Sequence, residues 1–152
     1  MSSATRLPWP VLVDKLRSQV TQARTDWAAA QKQQEALQAS LNRVNALIAD
    51  YQRQEETADT QARSMRDRLN AHAFIAQLNA VSSRVGQELA QAAKVTEQVR
   101  LRLLREEHEL LKMQKLAENA ERAERRENDR REQKGYDDLA LLRANWLRDS
   151  AA

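Results

Sequence analysis

Apolar residues recur every seven positions through the first third of the chain, and this repeat constrains the fold more than any other feature. Val13, Val20, Trp27, Leu41 and Ile48 hold one position of the heptad, with Gln34 as its polar interruption. Leu16, Ala23, Ala30, Leu37, Val44 and Tyr51 hold the second. Two apolar positions repeating over six heptads make a helix with one sticky seam, which must lie against another helix. Composition agrees. With 2 glycines, 2 prolines and 4% aromatic residues in 152, the chain lacks the turns of a sandwich or barrel and the bulk of a broad globular core. The spacing predicts a first helix over about 10–56, opened by Pro8-Trp9-Pro10, where Pro10 suits a first helical turn.

The stretch Glu56-Thr57-Ala58-Asp59-Thr60 loses the pattern, so the expected turn spans about 57–63, with Ser64 and Asp67 as alternative caps for the next helix. A second helix is expected over about 64–134. Its seam reads Phe74, Leu78, Val81, Val85, Ala92, Val95 and Val99, with Glu88 as its polar break. Leu103, Leu110, Met113, Ala117 and Ala120 follow. Two successive steps of four at Val95-Val99-Leu103 imply a register shift and local unwinding. Gly86 reads as a site of close backbone approach. Gly135 is expected to break or bend the helix before a short amphipathic segment at 136–148. A turn near Asp59 would put Tyr51 beside residue 67 and Val13 beside residue 105. About thirty residues of the second helix, 106–134, would then project. The expected fold is all-α: one long antiparallel two-helix coiled-coil hairpin with a projecting second helix, forming a single coiled-coil domain.

Several chemistries are excluded by residue type. The chain has no cysteine, hence no disulfide and no thiolate site. Its two histidines, His72 and His108, are too far apart in sequence for a ligand motif. Asp137 and Asp138 are adjacent and diverge by about 100° on a helix, so they do not form a catalytic pair. There is no phosphate loop or nucleophile elbow. We therefore expect no enzyme activity, no cofactor and no metal. The 25 basic and 22 acidic residues are interspersed, which disfavours nucleic acid as a partner. No apolar run reaches the ~20 residues of a membrane span, and no secretory signal is visible. The segment 121–134, ERAERRENDRREQK, carries 11 charges in 14 residues and no apolar stripe. An apolar stripe returns at Leu139, Leu142 and Trp146. Trp27 is explained by packing, whereas Trp9 and Trp146 at the chain ends suit interface anchoring.

LIADYQRQ at 47–54, HAFIAQL at 72–78 and REQKGYDDLALLR at 131–143 occur in that order. Together with the heptads they resemble the flagellar export protein family FliJ and its injectisome counterparts, the YscO-like stalk proteins. The resemblance covers almost the whole chain. The Phe-Ile-x-x-Leu block favours the flagellar branch. The terminal tryptophans and Lys112-Met113 favour the injectisome branch.

The resemblance implies a non-enzymatic central stalk and coupling factor of a type III protein export ATPase. Its implied partners are the hexameric ATPase, the cytoplasmic domain of the export gate, export chaperones and an ATPase regulator. Its implied location is the cytoplasm, peripheral to the inner membrane through these partners. It assigns gate contact to Ile48, Tyr51, Phe74 and Leu78. It assigns ATPase contact to the terminal segment: Arg122, Arg125, Arg126, Arg130, Arg131, Glu132, Gln133, Lys134, Asp137, Asp138, Leu139, Leu142 and Trp146. The reading of a different class is a structural homodimeric coiled coil or a prefoldin-like chaperone.

Overall fold

The computed structural model describes residues 9–58 and 64–151. They form two helices packed against each other, α1 (Trp9–Ala58) and α2 (Met65–Ser150). No strand occurs among the described residues. Helix α1 extends past its expected end. The Thr57 hydroxyl donates back to the Arg53 carbonyl at 3.1 Å, and Arg53 pairs with Asp50 at 2.6 Å, so local bonds carry the last turns without an apolar stripe. The remainder of the expected turn, 59–63, lies outside the described residues. Of the two candidate caps, Ser64 does the work. Its hydroxyl accepts from the Asp67 N–H at 3.3 Å, and its carbonyl accepts from the Arg68 N–H at 3.3 Å. Asp67 then sits in the first turn of α2, where its negative charge suits the helix dipole.

The chain divides into two compact units. One comprises Gln19–Glu106, with parts of both helices. Here the pairing is antiparallel. Asp26 contacts Arg102 at 2.5 Å, Asn45 accepts a hydrogen bond from Ser82 at 2.8 Å, and the Tyr51 and Phe74 rings lie 4.8 Å apart. Tyr51 therefore meets residue 74 rather than residue 67, because α1 runs on to Ala58 and α2 starts only at Met65. Val20, Ala23, Ile48 and Leu103 are its buried residues among those described. Every expected seam position of α1 in this unit, Gln34 included, is buried or half-buried.

The seam of α2 differs from expectation. Flanked by the half-buried Val81, Gly86, Ala93, Arg100 and Arg102, a continuous line of half-buried and buried positions runs Arg68, Ala71, Ile75, Leu78, Ser82, Val85, Leu89, Ala92, Thr96, Val99, Leu103 and Glu106. These steps alternate four and three without interruption. The expected register shift is absent, since Thr96 takes the position assigned to Val95, and Val95 is 40% exposed. Ile75 likewise replaces Phe74 in the seam. Phase overrides size here: a helix presents one stripe, and the larger apolar neighbour one step off it stays at the border. Gly86 is not a close approach either, as a Cβ there would meet nothing within 4 Å.

The second unit takes its described residues from 9–18 and from Glu107 onward. Trp9, Pro10, Val13, Asp14 and Arg17 line a groove with Gln114, Ala117, Glu118, Ala120, Glu121 and Glu124. Val13 thus lies by residues 114–124 rather than residue 105. The stretch without an α1 partner begins after Glu124, not at 106. The heptad phase of α2 explains the limit: Leu110, Met113, Ala117 and Ala120 are half-buried, and the next positions in phase are Glu124, Glu127, Arg131 and Lys134. Helix α2 nevertheless continues through Gly135 to Ser150, so the expected break and separate segment at 136–148 are corrected to one helix. A Cβ at Gly135 would meet nothing within 4 Å, and the preceding Arg131, Glu132, Gln133 and Lys134 are good helix formers.

Candidate interaction surfaces

The four residues assigned to gate contact all lie in the unit Gln19–Glu106, and the antiparallel pairing brings them together from both helices. Tyr51 on α1 and Phe74 on α2 meet edge to face, with 61° between their ring planes. This geometry sets the positive edge of one ring against the negative face of the other. Ile48 and Leu78 belong to the seam; Ile48 is 9% exposed and Leu78 half-buried. Phe74, at 40%, is the member of the set with a broad free face. Sequence reasoning passed over Leu47, which is exposed one helical turn before Tyr51 and widens the apolar surface on α1. Its place one step off the seam was the available signal.

The residues assigned to ATPase contact fall on the last third of α2 and are all exposed. Three of their arginines are paired along the helix. Arg125 bonds Glu121 at 2.6 Å, and Arg130 and Arg131 share Glu127 at 3.0 and 3.5 Å. Gln133 donates to Asp137 at 3.1 Å. The hydrogen bond from Arg130, with the charge of Arg130 and Arg131 behind it, holds the Glu127 carboxyl below the ordinary glutamate range. A surface of this kind presents alternating sign with little net field.

Continuity through Gly135 reshapes the apolar part. Tyr136, Leu139, Ala140, Trp146 and Leu147 fall on one face at helical spacing, with Arg143 among them and Leu142 at its border. All are exposed, Trp146 at 69%. Tyr136 and Leu147 were missed because the expected break put Tyr136 at a segment end. A helix drawn straight through the glycine recovers both.

Among the described residues no cluster of His, Asp or Glu could hold a metal ion, and no helix is long and apolar enough to cross a membrane. The family model of the flagellar FliJ protein matches residues 11–146, most of the chain. Neither a curated protein nor a solved structure matches it.

Proposed function

The chain belongs to the flagellar FliJ family, and on that premise we propose that it is the non-enzymatic central stalk of the export ATPase, coupling the ATPase ring to the export gate. Membership of the flagellar export apparatus follows from the family. The stalk role rests on one observation: α2 runs on beyond Glu124 as a charged helix, three of its arginines paired internally, and carries an exposed apolar face toward its end.

Charge pairing explains how such a helix could serve a ring. Arg125, Arg130 and Arg131 already have carboxylate partners on their own helix. A ring subunit meeting this surface finds no single deep electrostatic well, since exposed ion pairs contribute little each. The helix can then contact non-equivalent subunits in turn. The Tyr136, Leu139, Trp146 and Leu147 face supplies an apolar anchor of the composition that dominates interface energetics. Export-gate contact is assigned to the Tyr51–Phe74 surface, with Phe74 as its accessible member. Chaperones and an ATPase regulator complete the proposed partners, and the protein reaches the membrane periphery through them.

ATP hydrolysis by the purified cognate ATPase tests this reading. Leu139→Ser with Trp146→Ala should abolish stimulation while leaving the helical signal intact, because both side chains are exposed. Full stimulation by that variant would remove the ATPase role from this surface.

A further inference from the structure

Within the unit that holds the last part of α2, the carboxylates leave one line of the helix free of negative charge. Lys112, Lys115, Asn119, Arg122 and Arg126 follow one another in steps of three, four, three and four, and Arg130 stands one turn further on. All six are exposed. At about 100° per residue they share an arc of about 80°. Glu109, Glu118, Glu121, Glu124, Glu127 and Asp129 all fall outside that arc. The line runs roughly opposite Ala117, Glu121 and Glu124, which line the groove beside α1 in the same unit.

Pairing sets this line apart. Arg125, Arg130 and Arg131 each have a carboxylate partner on their own helix. Lys112, Lys115, Arg122 and Arg126 form no ion pair among the described residues. Their neighbours along the line are like charges: Lys112 with Lys115, Arg122 with Arg126, and Arg126 with Arg130. Like charges three or four residues apart destabilise a helix, and an anionic occupant turns that repulsion into attraction.

The shape and borders of the line define the occupant. It is one residue wide, and its steps are those of a coiled-coil seam, which match an α-helix lying alongside. Leu111 and Leu116, 64% and 41% exposed, border its first turns on either side and offer apolar contact that a phosphate cannot return. The stretch 107–150 as a whole holds 10 Lys and Arg against 11 Asp and Glu. Beyond the line, a nucleic-acid duplex or an anionic bilayer therefore meets no basic field.

We propose that an acidic amphipathic α-helix of another protein docks along this line of α2, over residues 112–130, a stretch of about 27 Å at 1.5 Å per residue. Its carboxylates meet Lys112, Lys115, Arg122 and Arg126, and its apolar residues meet Leu111 and Leu116. The surface is separate from the apolar anchor proposed above, since Tyr136, Leu139, Trp146 and Leu147 lie further along α2 and about a third of a turn round. It thereby parts Arg122, Arg126 and Arg130 from the rest of the contact set that the resemblance implies. The inference goes beyond the stalk reading and does not depend on it.

Fluorescence anisotropy of the full-length chain with a labelled synthetic helix, in the absence of any ATPase, provides the test. The probe is a peptide about 21 residues long, with Glu in alternating steps of three and four and Leu beside its end turns. It should bind at least about tenfold tighter than its Glu→Gln analogue, and added salt should weaken it. Arg122→Glu with Arg126→Glu should lose that preference and take the Glu→Lys analogue instead, with the helical signal retained because both residues are exposed. Leu111→Ser should weaken the wild-type complex without changing its charge preference. Equal affinity for the Glu and Gln peptides, a reversed variant that refuses the Lys peptide, or indifference to Leu111→Ser would overturn the proposal. So would a DNA duplex or phosphatidylglycerol vesicles bound as tightly as the Glu peptide. In cells, a photoreactive residue in place of Asn119 should cross-link to an acidic helical segment, and Arg122→Glu with Arg126→Glu should remove the product. Absence of that product in the wild type would overturn the docking of a partner on this line.

Discussion

Asp26 and Arg102 form a cross-helix ion pair in the unit Gln19–Glu106, at 2.5 Å, and Glu106 stands 3.9 Å from the same guanidinium. Arg102 thereby ties together a carboxylate from α1 and one that occupies a seam position of α2. The hydrogen bonds from Arg102 and then Gln22 hold the Asp26 carboxyl below the ordinary aspartate range. A lowered folded-state value means that this group adds stability above its unfolded pKa and loses it as pH falls through the folded value. Asp26→Asn should therefore destabilise the protein at neutral pH. The gap from wild type should close in acid, below the usual carboxylate range; denaturant melts at several pH values measure it. Apolar residues divide by burial. Ile48→Ala should cost about 2–3 kcal/mol, toward the low end for a buried aliphatic truncation because a two-helix seam can partly collapse. Phe74→Ala should cost only about 1 kcal/mol, since its ring keeps a solvent face and loses mainly the contact with Tyr51. Equal losses in urea titrations would contradict the placement of Ile48 inside the seam and Phe74 at its border.

At the scale of the element, α2 is governed by phase. Seven-residue repetition holds from Arg68 onward although the seam admits Ser82, Thr96 and Glu106. Small and polar residues are tolerated there because the seam is only half-buried and polar side-chain ends reach water. The two glycines are the weak points of the helix. Neither encloses a neighbour within 4 Å, so each loses helix propensity with no packing in return. Gly86→Ala and Gly135→Ala should each stabilise the protein, by about 0.5–1 kcal/mol for Gly86. Gly135→Ala should chiefly raise the helicity of the terminal stretch. Thermal melts and far-ultraviolet dichroism read the two effects. A loss of stability at Gly86 would restore a close-approach role for it.

At the scale of the whole molecule, the described residues divide by whether α2 has an α1 partner. Up to Glu124 it has one; from Arg125 onward it is exposed at every described residue but Glu127, which is half-buried. A helix without tertiary contacts is marginal in water and owes its order to propensity and local ion pairs. Amides at 125–150 should thus exchange with solvent much faster than those at 71–103, approaching the limit of local fraying. Added salt should speed their exchange further by screening the Arg125–Glu121 and Arg130–Glu127 pairs. Uniform protection along α2 would show that something covers the terminal stretch in solution.

The sequence by itself determined the class of fold, the α1 seam down to Gln34, and the charge and exposure of 121–134. Each of these is a periodic or compositional property, and a helix expresses such properties without help from distant residues. Pairing decided the rest. Tyr51 meets Phe74 rather than residue 67 because the offset between antiparallel helices depends on where the crossover falls, and no apolar pattern marks that point. Thr96 and Ile75 displaced Val95 and Phe74 because the stripe that faces α1 is chosen by the whole interface, not by the largest residue within reach. Gly135 stayed helical because a single glycine costs about 1 kcal/mol, less than the neighbouring turns supply once the helix is already nucleated.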